Sequence, residues 1–321
     1  MSVLGQGDYT YTPEPNWADL PPEVTLGDVA GLAVDNQDRV YLFNRGETPV
    51  VVLDQSGAVI STWGQGLFVN PHGASIGPDQ CLYLTDNFDH TVRKFTLDGT
   101  LLLEIGTPGI SSGFMSGKPF CKCTHSAIGP SGDIFVSDGY QNACIHKFDA
   151  NGKHLKSWGT PGTGPGEFNL PHNICCDPDG WIYVADRENS RVQIFDQNGR
   201  YETQINNMHR PSGLAITSGS CPDCIVGELA SYLAINRTFP NLGPFVSVFD
   251  QSSTLRARID AGAGLGPGQF VSPHSIAFDS RGDLYVGDVV DADWDKVFPG
   301  VDHPVAPRRF QKLRRTEVRP T

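Results

Sequence analysis

The stretch PHGASIGPDQCLYLTD, from Pro71 to Asp86, decides the fold because it recurs along the chain. Two close copies follow: PHNICCDPDGWIYVAD from Pro171 to Asp186, and PHSIAFDSRGDLYVGD from Pro273 to Asp288. In all three copies the same number of residues separates the histidine from the final aspartate. Each copy contains two short apolar runs around a turn rich in Asp, Pro and Gly, which predicts two antiparallel strands.

Three weaker copies carry other residues at the position of the histidine, which we call the His slot. In chain order the slot holds Ala30, His72, Thr124, His172, Ser212 and His274. A third apolar run, a turn such as DANG or DQNG, and a fourth apolar run follow the copies. Four antiparallel strands in a unit that repeats six times are typical of propeller blades. The sequence therefore predicts an all-β, six-bladed β-propeller that occupies residues 1–321 as a single domain.

We expect the two ends of the chain to complete the ring. Residues 1–26 are predicted to close it or to cover the last blade, and residues 303–321 to form the last strand or a tail. This C-terminal segment contains a basic run. We interpret the run as a solvated strand or tail, not as a binding patch; it comprises Arg308, Arg309, Lys312, Arg314 and Arg315.

Composition narrows the partners and the compartment. A net charge of −12 argues against nucleic acid, whose phosphates are bound by Lys and Arg. No apolar run approaches the ~18 residues of a membrane helix, and the N-terminus does not resemble a signal peptide. We therefore predict a cytoplasmic protein with mostly free thiols. Cys221 and Cys224 form a Cys-x-x-Cys without a second ligand pair, so we favour two incidental thiols or one disulfide over a metal site.

The His slots predict a metal site. Histidine fills the slot in the second, fourth and sixth copies, and alternate blades of a six-bladed ring lie about 120° apart. His72, His172 and His274 should therefore converge on the central channel, as in catalytic sites with three histidines. Zn²⁺ is the first choice, although imidazole also suits iron, cobalt, nickel and copper. The other histidines share no slot, and strand alternation should point His125 away from the ligands.

Short motifs carry a resemblance to known proteins. The segments GEF at Gly166 and GQF at Gly268, each followed by Pro-His, resemble NHL repeats. The chain also resembles the peptidyl-α-hydroxyglycine α-amidating lyase family between about residues 27 and 290. The matching pieces, in family order, are FNRG at Phe43, PHG at Pro71, FC at Phe120, VSDGY at Val136, VADRENSR at Val184 and PHS at Pro273.

This resemblance implies roles for particular residues. Tyr140 matches the catalytic tyrosine of the family, and Arg45 and Arg187 match its motif arginines, which would bind substrate and assist the reaction. The family also has a structural calcium, with a carboxylate ligand directly after the third Pro-His. Ser275 stands at that position here, which argues against calcium.

The expected function is cleavage of the C–N bond in an α-hydroxylated amide, a carbinolamide, to give an amide and an aldehyde such as glyoxylate. We expect a small-molecule substrate. Two alternatives remain open at this point: a metal-dependent hydrolase or lactonase on the same fold, and a non-catalytic NHL interaction module. The sequence does not determine the oligomeric state.

Overall fold

The computed structural model describes residues 2–217, 222–237 and 239–316. The described residues are almost entirely β-structure, and the strands of the first three blades follow the N-terminal hairpin. These strands are β1 Leu4–Gln6, β2 Tyr9–Glu14, β3 Val29–Val34, β4 Val40–Asn44, β5 Val50–Leu53, β6 Val59–Trp63, β7 Pro71–Ile76, β8 Leu82–Asp86, β9 Thr91–Phe95, β10 Leu101–Gly106, β11 His125–Ile128, β12 Ile134–Asp138, β13 Cys144–Phe148 and β14 His154–Trp158.

A short parallel pair precedes the last three blades. The remaining strands are β15 Thr160–Pro161, β16 Glu167–Phe168, β17 Pro171–Cys176, β18 Ile182–Asp186, β19 Arg191–Phe195, β20 Tyr201–Ile205, β21 Pro211–Ile216, β22 Cys224–Glu228, β23 Phe245–Phe249, β24 Leu255–Ile259, β25 Pro273–Phe278, β26 Leu284–Asp288 and β27 Phe310–Arg315. A 3-10 turn at Arg187–Asn189 and a four-residue helix, α1, at Trp294–Val297 are the helical segments among the described residues. None of these helical segments has the length and apolarity that a bilayer crossing requires.

Six antiparallel sheets form the blades, which confirms the predicted six-bladed β-propeller. Blades 1 to 5 each take four successive strands: β3–β6, β7–β10, β11–β14, β17–β20 and β21–β24. Within each of these blades the first strand lies at one edge and each next strand pairs with the one before it. Blade 6 contains β25, β26 and β27, and its outer strands come from the N-terminus.

The two ends of the chain meet in blade 6. Strand β2 pairs antiparallel with β27, with Tyr11 opposite Arg315 and Glu14 opposite Lys312, and β1 pairs with the outer side of β2. This pairing closes the ring by hydrogen bonds between the first and last strands, and it covers an edge that would otherwise be exposed. Residues 317–321 lie outside the described part of the chain.

The basic run is only in part the solvated strand that we predicted: it continues into β27 and the Arg314 side chain is 55% exposed, but other members are partly or fully buried. Lys312 is buried, and its ammonium group lies 2.9 Å from a carboxylate oxygen of Asp283. Arg308 donates hydrogen bonds to the carbonyl oxygens of Gly266 and Gln269. Lys312 and Arg308 are held in blade 6 by these carboxylate and carbonyl oxygens. The partners lie elsewhere in the chain, so the sequence of the basic run does not reveal them.

The hydrophobic core is divided among the six seams between neighbouring blades. Six apolar clusters each combine residues from two adjacent blades. At the closing seam, for example, Leu32 and Val51 of blade 1 pack with Tyr285 and Phe310 of blade 6. The ring is thus stabilised mainly by apolar burial between its blades.

Candidate metal centre

A break in strand pairing lies at the His slot. In blade 2 the register of β7 against β8 shifts between Pro71 and Gly73, so His72 has no direct partner on the neighbouring strand. The same shift occurs between Pro273 and Ser275 in blade 6. An extra residue of this kind is a β-bulge, which re-aims the side chain that it carries. Here it lets the histidine enter the central channel.

The structure brings His72, His172 and His274 together. All three are buried, and each offers one nitrogen such that the three nitrogens lie within 4.8 Å of one another. Their ring centroids are 4.6 to 5.0 Å apart. Three buried imidazoles at this spacing could hold one metal ion, with further positions open to a substrate.

The backbone carbonyl groups of the residues in the slots without histidine orient the three imidazole rings. Nδ1 of His72 lies 2.6 Å from the carbonyl oxygen of Thr124, and Nδ1 of His274 lies 2.8 Å from that of Ala30. Nδ1 of His172 lies 3.3 Å from the carbonyl oxygen of Ser212. A carbonyl oxygen only accepts, so these contacts favour the tautomer with the hydrogen on Nδ1 and the lone pair on Nε2; at His172 the Ser212 hydroxyl oxygen also lies 3.3 Å from Nδ1 and can accept the same hydrogen. Each histidine therefore contacts the slot residue of the next blade.

The free lone pairs fit a cation. Nε2 of His274 is buried and has no hydrogen-bond partner among the described residues. Burial, followed by nearby positive charge, lowers the pKa of all three histidines, and that of His274 falls to about 3. The imidazoles thus stay neutral, which is the form that binds a metal.

Tyr140 completes the centre. Its hydroxyl oxygen lies 3.0 Å from Nε2 of His72 and 3.3 Å from Nε2 of His172. The guanidinium carbon of Arg187 lies 5.6 Å from the centroid of the tyrosine ring. The phenol is therefore placed where it can exchange a proton with a group bound at the histidines.

The two predicted arginines flank the cluster. Nε of Arg45 donates to the carbonyl oxygen of Pro71, next to His72, and the positive charge of Arg45 contributes to the lowered pKa of His72 and His274. Arg187 acts in the same way on His172. Both side chains are mostly buried. The arrangement favours an anionic or carbonyl group next to the three histidines.

Two carboxylates that the sequence analysis missed hold these arginines. Asp28 is buried and lies 3.5 Å from Nη1 of Arg45. Glu188 lies 2.9 Å from Nε of Arg187 and also pairs with Arg210 at 3.0 Å. Glu188 follows Arg187 directly in the DREN motif and could have been suspected, whereas nothing in the local sequence singles out Asp28.

His125 lies away from the three metal-ligand candidates, as expected, but it still lines the channel. This residue is outside the three-histidine cluster, but it lines a cavity of about 240 Å³ in the channel together with Asn173 and Ser275. At the start of β11 both the Thr124 backbone N–H and His125 pair with Ser137, so the break in pairing seen at the slots of blades 2 and 6 occurs here too. No described residue that lines this cavity carries a carboxylate. The site therefore does not fit calcium, which prefers several oxygen ligands, usually including carboxylates.

Comparison with known proteins agrees with this architecture. The NHL repeat family model matches residues 168–195, which include the slot of blade 4. A solved structure described as a streptogramin B lyase superposes with a TM-score of 0.58 at 14% sequence identity, covering 90% of this chain and 95% of that one. At this identity the likeness concerns the fold alone. The protein is thus a six-bladed β-propeller with a match to the NHL repeat in blade 4.

Its sequence resembles the amidating lyases more narrowly. Peptidyl-alpha-hydroxyglycine alpha-amidating lyase 1 of Drosophila melanogaster is 30% identical over 283 residues, which cover 79% of this chain and 50% of that protein. Peptidyl-glycine alpha-amidating monooxygenase A of Xenopus laevis is 31% identical over 300 residues, 82% of this chain and 31% of that protein. The chain therefore spans about half of the first relative and a third of the second.

Proposed function

We propose that the protein is a metal-dependent carbon–nitrogen lyase that cleaves a carbinolamide, R-CO-NH-CH(OH)-R′, into an amide and an aldehyde. One observation carries the proposal: the Tyr140 hydroxyl lies within hydrogen-bond distance of two ring nitrogens of the three-histidine cluster. The resemblance to an enzyme named as an amidating lyase supports it. The substrate that we propose is a small-molecule amide.

His72, His172 and His274 would hold the metal, for which we propose zinc because three neutral imidazoles suit this ion. When bound, such a metal supplies Lewis acidity that lowers the pKa of a hydroxyl group on the substrate. The hydrogen bonds from each Nδ1 to a backbone carbonyl fix the ring orientations before any ligand arrives.

In the proposed reaction Tyr140 moves one proton and starts as the phenolate, which the metal and the flanking arginines would stabilise. The phenolate oxygen accepts the proton of the carbinol hydroxyl, the C–O bond becomes the C=O of the aldehyde, and the electron pair of the C–N bond leaves with nitrogen. The same proton then returns from Tyr140 to nitrogen, so that the amide is neutral and no water is consumed. Arg45 and Arg187 would hold a carboxylate or carbonyl on the carbinol carbon.

The test uses metal-loaded protein and α-hydroxyhippurate in ¹⁸O water. A lyase releases benzamide and glyoxylate together, and early samples contain no water-derived oxygen in either product. A hydrolase would instead place ¹⁸O in an acid product. Inert carbinolamides together with turnover of esters or lactones and ¹⁸O uptake would replace the lyase by the hydrolase alternative. A protein without stoichiometric transition metal would favour an interaction module.

A further inference from the structure

A pocket of about 260 Å³ lies between blades 3 and 4 and shares Tyr140 with the three-histidine cluster. Its walls are mostly apolar, and none of the described residues that line it is charged. The apolar walls come from Met115, Ala143, Pro161, Phe168 and Leu170. A concave, mostly apolar surface beside polar, convergent groups is the usual composition of a small-molecule site.

The Met115 wall is fixed relative to Tyr140. The backbone N–H of Met115 donates to the carbonyl oxygen of Gln141, at 2.9 Å, and that of Gly117 donates to Oδ1 of Asn142, at 3.1 Å. These bonds attach the loop between blades 2 and 3 to the turn that carries Tyr140. Met115 is nevertheless 42% exposed, so its side chain remains available to a ligand.

The Leu170 wall has an unusual backbone. Its φ of 68° lies in the left-handed region, which a bulky residue rarely adopts and which costs free energy. Its carbonyl oxygen accepts the backbone N–H of Arg187, at 3.2 Å. The conformation therefore connects one wall of the pocket to an arginine that flanks the histidines.

We propose that this pocket binds the apolar acyl substituent R of the carbinolamide R-CO-NH-CH(OH)-R′, and that the protein therefore prefers bulky apolar acyl groups. The inference rests on the proposed function. The ring of Tyr140 lines the pocket and its hydroxyl reaches the histidines, so one aromatic ring spans the distance between R and the carbinol oxygen. The volume equals that of roughly eight or nine waters at ~30 Å³ each, enough for a phenyl ring and more than an acetyl methyl fills.

The experiment compares α-hydroxyhippurate with N-acetyl-α-hydroxyglycine on the metal-loaded protein. We expect kcat/KM to be at least roughly tenfold higher for the benzoyl compound, since an apolar pocket discriminates by about this factor for each methylene filled. Met115→Gln should bring the ratio close to one. Thr163→Trp, at an exposed position that lines the pocket, should do the same by filling it.

Phe114→Gln is the matched control. Phe114 lies on the same loop and is 72% exposed, but it does not line the pocket, so the variant should keep the wild-type ratio. Calorimetric titration with N-benzoylglycine and N-acetylglycine gives a readout that needs no turnover. The benzoyl compound should bind more tightly, and Met115→Gln should remove the difference.

The outcomes separate the two proposals. Turnover with a benzoyl to acetyl ratio near one, or a ratio that Met115→Gln does not change, overturns the pocket and leaves the lyase intact. Inert carbinolamides together with Met115-dependent binding of N-benzoylglycine leave the pocket intact and overturn the lyase. If neither carbinolamide is cleaved and binding does not depend on Met115, both proposals are wrong.

Discussion

Nδ1 of His274 lies 2.8 Å from the carbonyl oxygen of Ala30, across the seam where the last blade meets the first. The two residues are far apart in sequence and occupy the same slot in neighbouring blades. Closure of the ring therefore also orients one of the three imidazoles. The corresponding hydrogen bonds of His72 and His172 join blades that follow each other in the sequence. Of the three histidines, His274 is therefore the one whose orientation depends on contact between the first and last blades.

The first prediction concerns the metal. His172→Ala removes one of three nitrogen ligands and should weaken metal affinity by more than the roughly 10–100-fold that loss of an outer hydrogen-bond partner causes. The protein should remain folded, because the apolar clusters lie between the blades and do not include the three histidines. Elemental analysis after dialysis, together with circular dichroism, measures both effects.

His125→Ala is the control for this experiment, because His125 is also a buried channel histidine but lies outside the cluster. It should retain the metal. Equal metal content in His172→Ala and the wild type would show that the axial site is wrong.

The second prediction concerns the proton. Tyr140→Phe keeps the aromatic ring and removes the hydroxyl that faces His72 and His172. Turnover should fall by roughly 10²-fold or more if that oxygen moves the proton, while the metal content stays the same. Tyr201→Phe, on the outermost strand of blade 4, should leave turnover unchanged. A Tyr140→Phe protein with wild-type kcat would exclude the phenol as the base.

The repeats made the fold and the central cluster predictable. Equivalent residues of a closed ring take equivalent positions, so three histidines in alternate slots must meet at the axis. The local deviations were not predictable. The cavity that His125 lines takes residues from all six blades, and Asp283 pairs with the buried Lys312 in what looked like a solvated run. Both depend on contacts between segments that are not neighbours in the sequence.

The partners of the two flanking arginines illustrate the same limit. Arg45 and Arg187 stand out because they share a repeat position, but the carboxylates that hold them do not. Asp28 comes from the segment before β3, and Glu188 lies in the turn after β18. A periodic pattern identifies only groups that repeat, so charge partners unique to one blade require the structure.

The third prediction concerns these arginines. Arg45→Ala or Arg187→Ala should lower kcat/KM for carbinolamides with a carboxylate on the carbinol carbon by roughly 10–100-fold, the range of a charge-assisted hydrogen bond. The corresponding carboxamides should be affected much less. Arg200→Ala is a suitable control because Arg200 is largely exposed and its one ion pair within the described part of the chain is with Glu202. Equal losses for the charged and neutral substrates would mean that the arginines do not bind the carboxylate.

The last prediction concerns stability and pH. Glu228, at the end of β22, is buried, and one of its carboxylate oxygens has no hydrogen-bond partner among the described residues. Burial raises the pKa of Glu228 from 4.5 to about 7. Between these values the folded protein binds more protons than the unfolded chain, so this group makes the free energy of unfolding decrease as pH rises towards about 7.

Glu228→Gln should remove that share of the pH dependence. The free energy of unfolding of Glu228→Gln minus that of the wild type should be larger at pH 8 than at pH 5, by up to about 3 kcal/mol. This value follows from about 1.36 kcal/mol for each unit by which the pKa is raised. Any cost of the amide itself is the same at both pH values and cancels. Urea unfolding of both proteins at pH 5 and pH 8 measures the difference.

Asp186→Asn provides the contrasting variant. Asp186 ends the second strand of blade 4 as Glu228 does in blade 5, but its carboxylate lies 2.8 Å from Nε of the buried Arg191. Asp186→Asn should lower the free energy of unfolding at pH 8 by on the order of 3–5 kcal/mol, because the buried guanidinium of Arg191 loses its counter-charge. Glu228→Gln, by contrast, should gain stability relative to the wild type between pH 5 and pH 8. If Glu228→Gln leaves the wild-type pH dependence unchanged, the Glu228 carboxyl group does not titrate in the raised range.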